Sequence, residues 1–125
     1  MTIERVLIKL IRVVQLISHT AESKNLRVKE LLGPLLHSLS ETITYFQNYA
    51  KFEKRDELLE HKLARYWEEA AGQIRLTDPE FSEIFKSDED CCWLNPSKWG
   101  PNEAKAIAID LEIIRDKCRV ILVEN

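Results

Sequence analysis

The chain has 125 residues, of which 45% are hydrophobic and 31% charged, with only three glycines and four prolines. This length supports one domain with a single core, covering residues 1–125 as a whole protein or as the N-terminal module of a longer one. Scarce turn residues favour long helices over a sheet, and a net charge of −3 argues against a dedicated nucleic-acid binder, which usually has a basic surface.

The first predicted helix runs from Ile3 to about Ser18 and is apolar around most of its circumference. Its polar line consists of Arg5, Lys9 and Arg12. A helix this apolar needs cover, so we expect other helices to pack on several of its sides. The same combination of basic line and apolar body is typical of a surface-lying membrane helix, and a membrane-active bundle led by this helix is one alternative function.

The second predicted helix keeps its apolar spacing from Val28 to Ala50, across Gly33 and Pro34. Proline disrupts a helix interior, so the pattern predicts one kinked helix, with two separate helices as the alternative. A turn is expected around residues 51–55, because continuing the same helix would bury several glutamates. The third helix then begins after Asp56 as its capping residue.

The apolar seam predicted for the third helix leaves Trp67 at its flank and comprises Leu59, Leu63, Tyr66, Ala70 and Ile74. Thr77-Asp78-Pro79 has the signature of a helix start and predicts a short extra helix to about Phe85. Gly100-Pro101 opens the last helix, whose buried stripe is expected at Ala104, Ile107 or Ala108, Leu111, Ile114, Cys118 and Ile121.

Together these elements predict an all-α fold: an antiparallel four-helix bundle with a short extra helix in the connection before the last helix. The three cysteines include the adjacent pair Cys91-Cys92, which does not form a disulfide framework. No secretory signal is apparent, so we expect a cytoplasmic protein. Spaced Cys/His pairs and phosphate-binding glycine loops are also missing from the sequence, and we predict neither a metal nor a cofactor.

One pattern in the third helix could carry chemistry. The run Arg55-Asp56-Glu57-Leu58-Leu59-Glu60-His61 resembles the motif of HEPN-type ribonucleases. The resemblance implies an RNA-cleaving dimer in which Arg55 holds the scissile phosphate and His61 moves the proton. Arg12 and His19 have the same kind of spacing, however, and the surrounding surface is acidic. We prefer to interpret the run as a solvated helix start, without catalysis, and keep the ribonuclease as an alternative.

The turn-rich stretch before the last helix combines aromatic, apolar and charged residues, a mixture found at protein contacts. The candidate partner-binding residues are Trp93, Leu94, Lys98, Trp99, Asp88 and Asp90. The alternative is that both tryptophans plug the open end of the bundle. The function favoured by the sequence is a non-catalytic interaction or regulatory module that contacts a protein partner or a second copy of itself.

Overall fold

The structure is a computed structural model that describes residues 3–23, 28–75, 79 and 92–124. Within these ranges the chain contains four long helices and no strand, which confirms the all-α prediction. The helices are α1 (Ile3–Ser23), α2 (Val28–Phe52), α3 (Glu57–Ile74) and α4 (Pro101–Glu124). Two 3-10 turns, Cys92–Leu94 and Pro96–Lys98, precede α4. The short helix predicted after Thr77 lies outside the described residues except for Pro79, which is helical.

Helix α2 is continuous through Pro34, which confirms the single-helix interpretation. The hydroxyl of Ser38 donates a 2.9 Å hydrogen bond to the Pro34 carbonyl one turn earlier. This bond gives the buried Ser38 side chain a partner inside the helix and explains how a polar group is tolerated there. The residues of the predicted seam are buried up to Phe46, while Ala50 near the end of the helix is half-buried.

The predicted turn between the second and third helices is confirmed at residues 53–56. Its first residue, Glu53, has a φ of +52°, and its N–H donates a 2.8 Å hydrogen bond to the Tyr49 carbonyl. A residue in the left-handed conformation commonly ends a helix in this way. Asp56 caps α3 as predicted, because its carboxylate accepts a 3.0 Å hydrogen bond from the Leu59 N–H.

The seam of α3 differs from the prediction at Leu59, which is half-buried, and at one aromatic pair. Trp67 is fully buried and Tyr66 only half-buried, so the expectation that Tyr66 occupies the seam is wrong. The Trp67 ring lies 5.4 Å from the Trp93 ring, and its Nε1 donates a 3.0 Å hydrogen bond to Thr42 Oγ1 on α2. Burying the larger ring is favoured because its one polar atom has a partner there.

Helix α1 packs chiefly on α4 and along one face. The side chains on that face are Val6, Leu10, Val13, Val14 and Ile17, all buried. Ile8 is 64% exposed, Leu16 37% and Ile11 36%, so the expectation of cover on several sides is corrected. The buried residues recur at three- and four-residue steps, and helices packed on that single stripe do not reach the far side of α1.

The inner face of α4 matches the predicted stripe at every position. Its buried residues are Ala104, Ile107, Ala108, Leu111, Ile114, Cys118 and Ile121. Cys118 behaves as a small core residue, as predicted, and its burial raises the thiol pKa to about 12.

Candidate functional site

The loop predicted to bind a partner is largely built into the core. Trp93 is fully buried and Leu94 is 1% exposed, so neither side chain can contact a partner in this conformation. The structure therefore adds no support to their expected role at a partner surface, which stays a prediction. Trp99 is half-buried against the core, and Lys98 is exposed. Asp88 and Asp90 lie outside the described residues.

Local hydrogen bonds hold this loop in place. The side chain of Asn95 accepts a 3.0 Å bond from the Ser97 N–H, and Trp99 Nε1 donates a 3.2 Å bond to the Trp93 carbonyl. Gly100 has a φ of +84°, a conformation that L side chains rarely adopt, and directs the chain into α4. The Trp93 ring lies 6.3 Å from the Phe46 ring in the bundle interior. These contacts support the alternative in which Trp93 plugs the bundle.

The guanidinium of Arg55 is neutralised by two carboxylates. It lies 3.0 Å from Glu57 Oε1 and 2.9 Å from Glu60 Oε1, and its hydrogen bond to Glu60 is the main cause of its raised pKa. His61 is exposed on α3 and lines a different surface pocket from the one that Arg55 lines. An RNA phosphate that binds at Arg55 competes with both carboxylates, so the ribonuclease alternative stays a prediction without added support.

A polar cluster that the sequence analysis missed joins α2 to the start of α3. The hydroxyl of Tyr45, a residue only 3% exposed, donates a 2.5 Å hydrogen bond to Glu60 Oε2 and accepts a 2.9 Å bond from the Asp56 N–H. Burial, followed by the hydrogen bond to Glu60, raises the pKa of Tyr45 above its usual range. Each of these polar groups has a hydrogen-bond partner at the turn, so the cluster stabilises the connection between α2 and α3. We call the cluster of Tyr45, Asp56 and Glu60 the latch.

The most prominent exposed feature among the described residues is the outer face of α4. Ile109 is 50% exposed, Ile113 53%, Val120 54% and Val123 86%. These residues lie on the side of the helix opposite the buried stripe and recur with helical spacing. Their helical spacing is visible in the sequence, but the prediction for this helix covers only the inner stripe.

A groove of about 600 Å³ separates α1 from α4 beside this face. From α1 it is lined by Gln15 and Ser18 among others, and from α4 by Asp116, Lys117 and Val120 among others. The exposed Ile8 and Ile11 lie on the same side of α1 as Gln15 and Ser18. Ile11 is one turn before Gln15 and two turns before Ser18, and Ile8 is one turn before Ile11. This side of α1 therefore presents exposed aliphatic residues as well as the polar residues that line the groove.

Within the described ranges, no three His, Cys, Asp or Glu side chains come together in a way that could hold a metal ion. The same part of the chain contains no helix whose length and apolar character would let it cross a bilayer. Comparison of the sequence and structure with protein-family models, curated proteins and solved structures finds no match in any of the three.

Proposed function

We propose that the chain is a non-catalytic protein-interaction module, an antiparallel helical bundle that works in the cytoplasm. Its contact surface is the outer face of α4, extended by the exposed residues of α1. The observation that carries the proposal is the row of four large aliphatic side chains on α4, each at least half exposed. Single exposed aliphatic residues are ordinary, but several of them along one helix face are typical of an interaction site.

The fold itself does not require this outer face. The inner stripe of α4 already supplies the side chains that pack on α2 and α1. Polar residues at Ile109, Ile113 and Val120 would leave that packing unchanged and make the surface more soluble. Apolar residues at these positions are explained by a contact that removes them from water.

Two alternative functions, the ribonuclease and the membrane-active bundle, are tested separately. The ribonuclease alternative uses Arg55 and His61. It would be excluded if His61→Ala cleaved RNA as fast as the wild type. The membrane-active bundle uses the exposed Ile8 beside the basic line of α1, and liposome co-sedimentation tests it. Of the three functions, the interaction module is the one that the four exposed aliphatic residues of α4 support.

The proposal is tested with a matched pair of charge insertions. Ile113→Glu places a carboxylate in the α4 face, and Leu58→Glu places one at an 83% exposed position on α3, away from it. Both variants should fold like the wild type, as circular dichroism and thermal unfolding would show. We expect Ile113→Glu alone to lose binding, assayed by cross-linking of the pure chain and by capture from extracts of its source. Equal binding by all three proteins would refute the proposal.

A further inference from the structure

The outer face of α4 has the spacing of a coiled-coil seam. Its residues are all exposed and follow one another at steps of three, four, three, four and three: Ala106, Ile109, Ile113, Asp116, Val120 and Val123. Such a repeat lets two helices interlock their side chains along a shared line. In heptad notation, Ala106, Ile113 and Val120 take a positions, and the other three take d positions.

The charges that flank this seam determine the direction of a partner helix. The g positions, immediately before each a residue, are Lys105, Glu112 and Arg119. The e positions, immediately after each d residue, are Asp110, Lys117 and Glu124. In a coiled coil these two rows approach the partner helix, and their signs decide its identity and orientation.

A parallel, in-register pair of α4 helices brings each g residue next to the e residue of the other chain five positions later. The pairs are Lys105 with Asp110, Glu112 with Lys117, and Arg119 with Glu124, and all three are opposite in sign.

The fully overlapping antiparallel pair gives the reverse result. It brings g next to g and e next to e, so that Glu112 faces Glu112, Lys105 faces Arg119, Lys117 faces Lys117, and Asp110 faces Glu124. These four contacts are all between like charges, which disfavours this orientation. Charge complementarity therefore selects both a second copy and its direction.

Resting on the proposed function, we infer that the partner of this surface is a second copy of the chain, bound through a parallel α4–α4 coiled coil. Asp116 is the one polar residue in the seam, and Arg115 and Arg119 lie 3.4 and 3.8 Å from its carboxylate. A polar residue at one seam position lowers stability and helps to fix register. The resulting dimer is reversible and weakens as salt screens the g–e pairs.

The first experiment measures solution mass by light scattering over a concentration series from low micromolar to near-millimolar. We expect the wild-type chain to pass from monomer to dimer, and Ile113→Glu to weaken dimerisation at least tenfold, with Leu58→Glu as the unaffected control. A wild-type monomer at every concentration overturns the dimer. In that case, capture of a foreign protein by the wild type but not by Ile113→Glu would leave the interaction module standing. Equal capture by both proteins would refute the dimer and the interaction module together.

Charge reversal tests the parallel direction. Glu112→Lys alone and Lys117→Glu alone each create like-charge g–e pairs, so each should dimerise more weakly than the wild type. The double variant, and an equimolar mixture of the two single variants, restore opposite signs and should recover dimerisation. In the antiparallel pair the single changes leave the number of repulsive contacts unchanged, so unaffected single variants overturn the parallel arrangement. Gln47→Ala controls for the 2.6 Å hydrogen bond that Gln47 donates to Glu112.

Discussion

The latch at the α2–α3 turn gives the sharpest prediction for the folded chain. Tyr45→Phe keeps the ring in its buried position and removes only the hydroxyl. Two hydrogen bonds disappear: the 2.9 Å bond from the Asp56 N–H and the 2.5 Å bond to the Glu60 carboxylate. Glu60 retains its 2.9 Å ion pair with Arg55, so its charge keeps a partner in the variant.

The two lost bonds set the magnitude at neutral pH. A neutral hydrogen bond contributes about 1 kcal/mol to stability and one to a charged group somewhat more, so we expect Tyr45→Phe to lower the free energy of unfolding by about 2 kcal/mol. Urea unfolding followed by tryptophan fluorescence measures this difference, and an unchanged slope with denaturant would show that only stability has changed.

Because the pKa of Tyr45 is raised in the folded chain, the free energy of unfolding should fall as pH rises. The stabilisation is fully present below about pH 10, where an unfolded tyrosine also keeps its proton. Above that pH the unfolded chain releases the phenolic proton while the folded chain holds it, so the wild type loses stability as pH rises. By pH 11 the loss relative to neutral pH reaches about 1.4 kcal/mol, and Tyr45→Phe does not share it.

The difference between wild type and Tyr45→Phe should therefore narrow from about 2 kcal/mol at pH 7 to less than about 1 kcal/mol at pH 11. All other titrating groups are present in both proteins and cancel in the comparison. A difference that stays constant across this range would refute the structural role assigned to the buried hydroxyl.

Backbone conformation and burial at other positions give the remaining predictions. Glu53→Gly should raise the free energy of unfolding by about 1 kcal/mol, because glycine adopts the +52° φ without steric cost; a loss would contradict the left-handed turn. Gly100→Ala should lower the free energy of unfolding by about 1–2 kcal/mol. The cause is its +84° φ alone, since an added Cβ meets no atom within 4 Å, and an unchanged free energy would contradict that conformation. On α1, Leu10→Ala should cost about 3 kcal/mol and Ile8→Ala less than about 0.5 kcal/mol, measured where the chain is monomeric. Equal costs would mean that α1 is covered all round. In a Cys91→Ser/Cys92→Ser background, the buried Cys118 thiol should react with a maleimide only as fast as the protein opens, and rapid labelling of the folded chain would contradict its burial.

Local signals account for the parts of the fold that the sequence predicts well. Helix α2, the turn before Asp56 and the inner stripe of α4 follow from apolar spacing, a capping side chain and the cost of burying glutamates. Each of these signals lies within a few residues of the structure it determines. The ends of helices and the buried face of an amphipathic helix are therefore accessible to reasoning from sequence alone.

The features that the sequence analysis missed depend on distant residues. Tyr66 and Trp67 are adjacent and both aromatic, and the choice between them is made by Thr42, 25 positions away, which accepts the Trp67 N–H. The Tyr45–Glu60 hydrogen bond spans 15 positions. Trp93 is buried because it meets Phe46 and Trp67 in the bundle interior. Composition and spacing near a residue do not identify such partners.

Helices α1 and α4 show why a surplus of apolar residues needs to be interpreted by its position on the helix. In α1 part of that surplus lies beside the buried face, where Ile3 and Leu7 are half-buried and support the same core. In α4 the surplus lies on the opposite face, at coiled-coil spacing, between two rows of charges whose signs alternate along the helix. The first arrangement widens an existing core, whereas the second can exclude water only against another molecule. The more strongly apolar α1 thus carries less information about association than the ordinary-looking α4, because direction and spacing, not the amount of apolar surface, specify a partner.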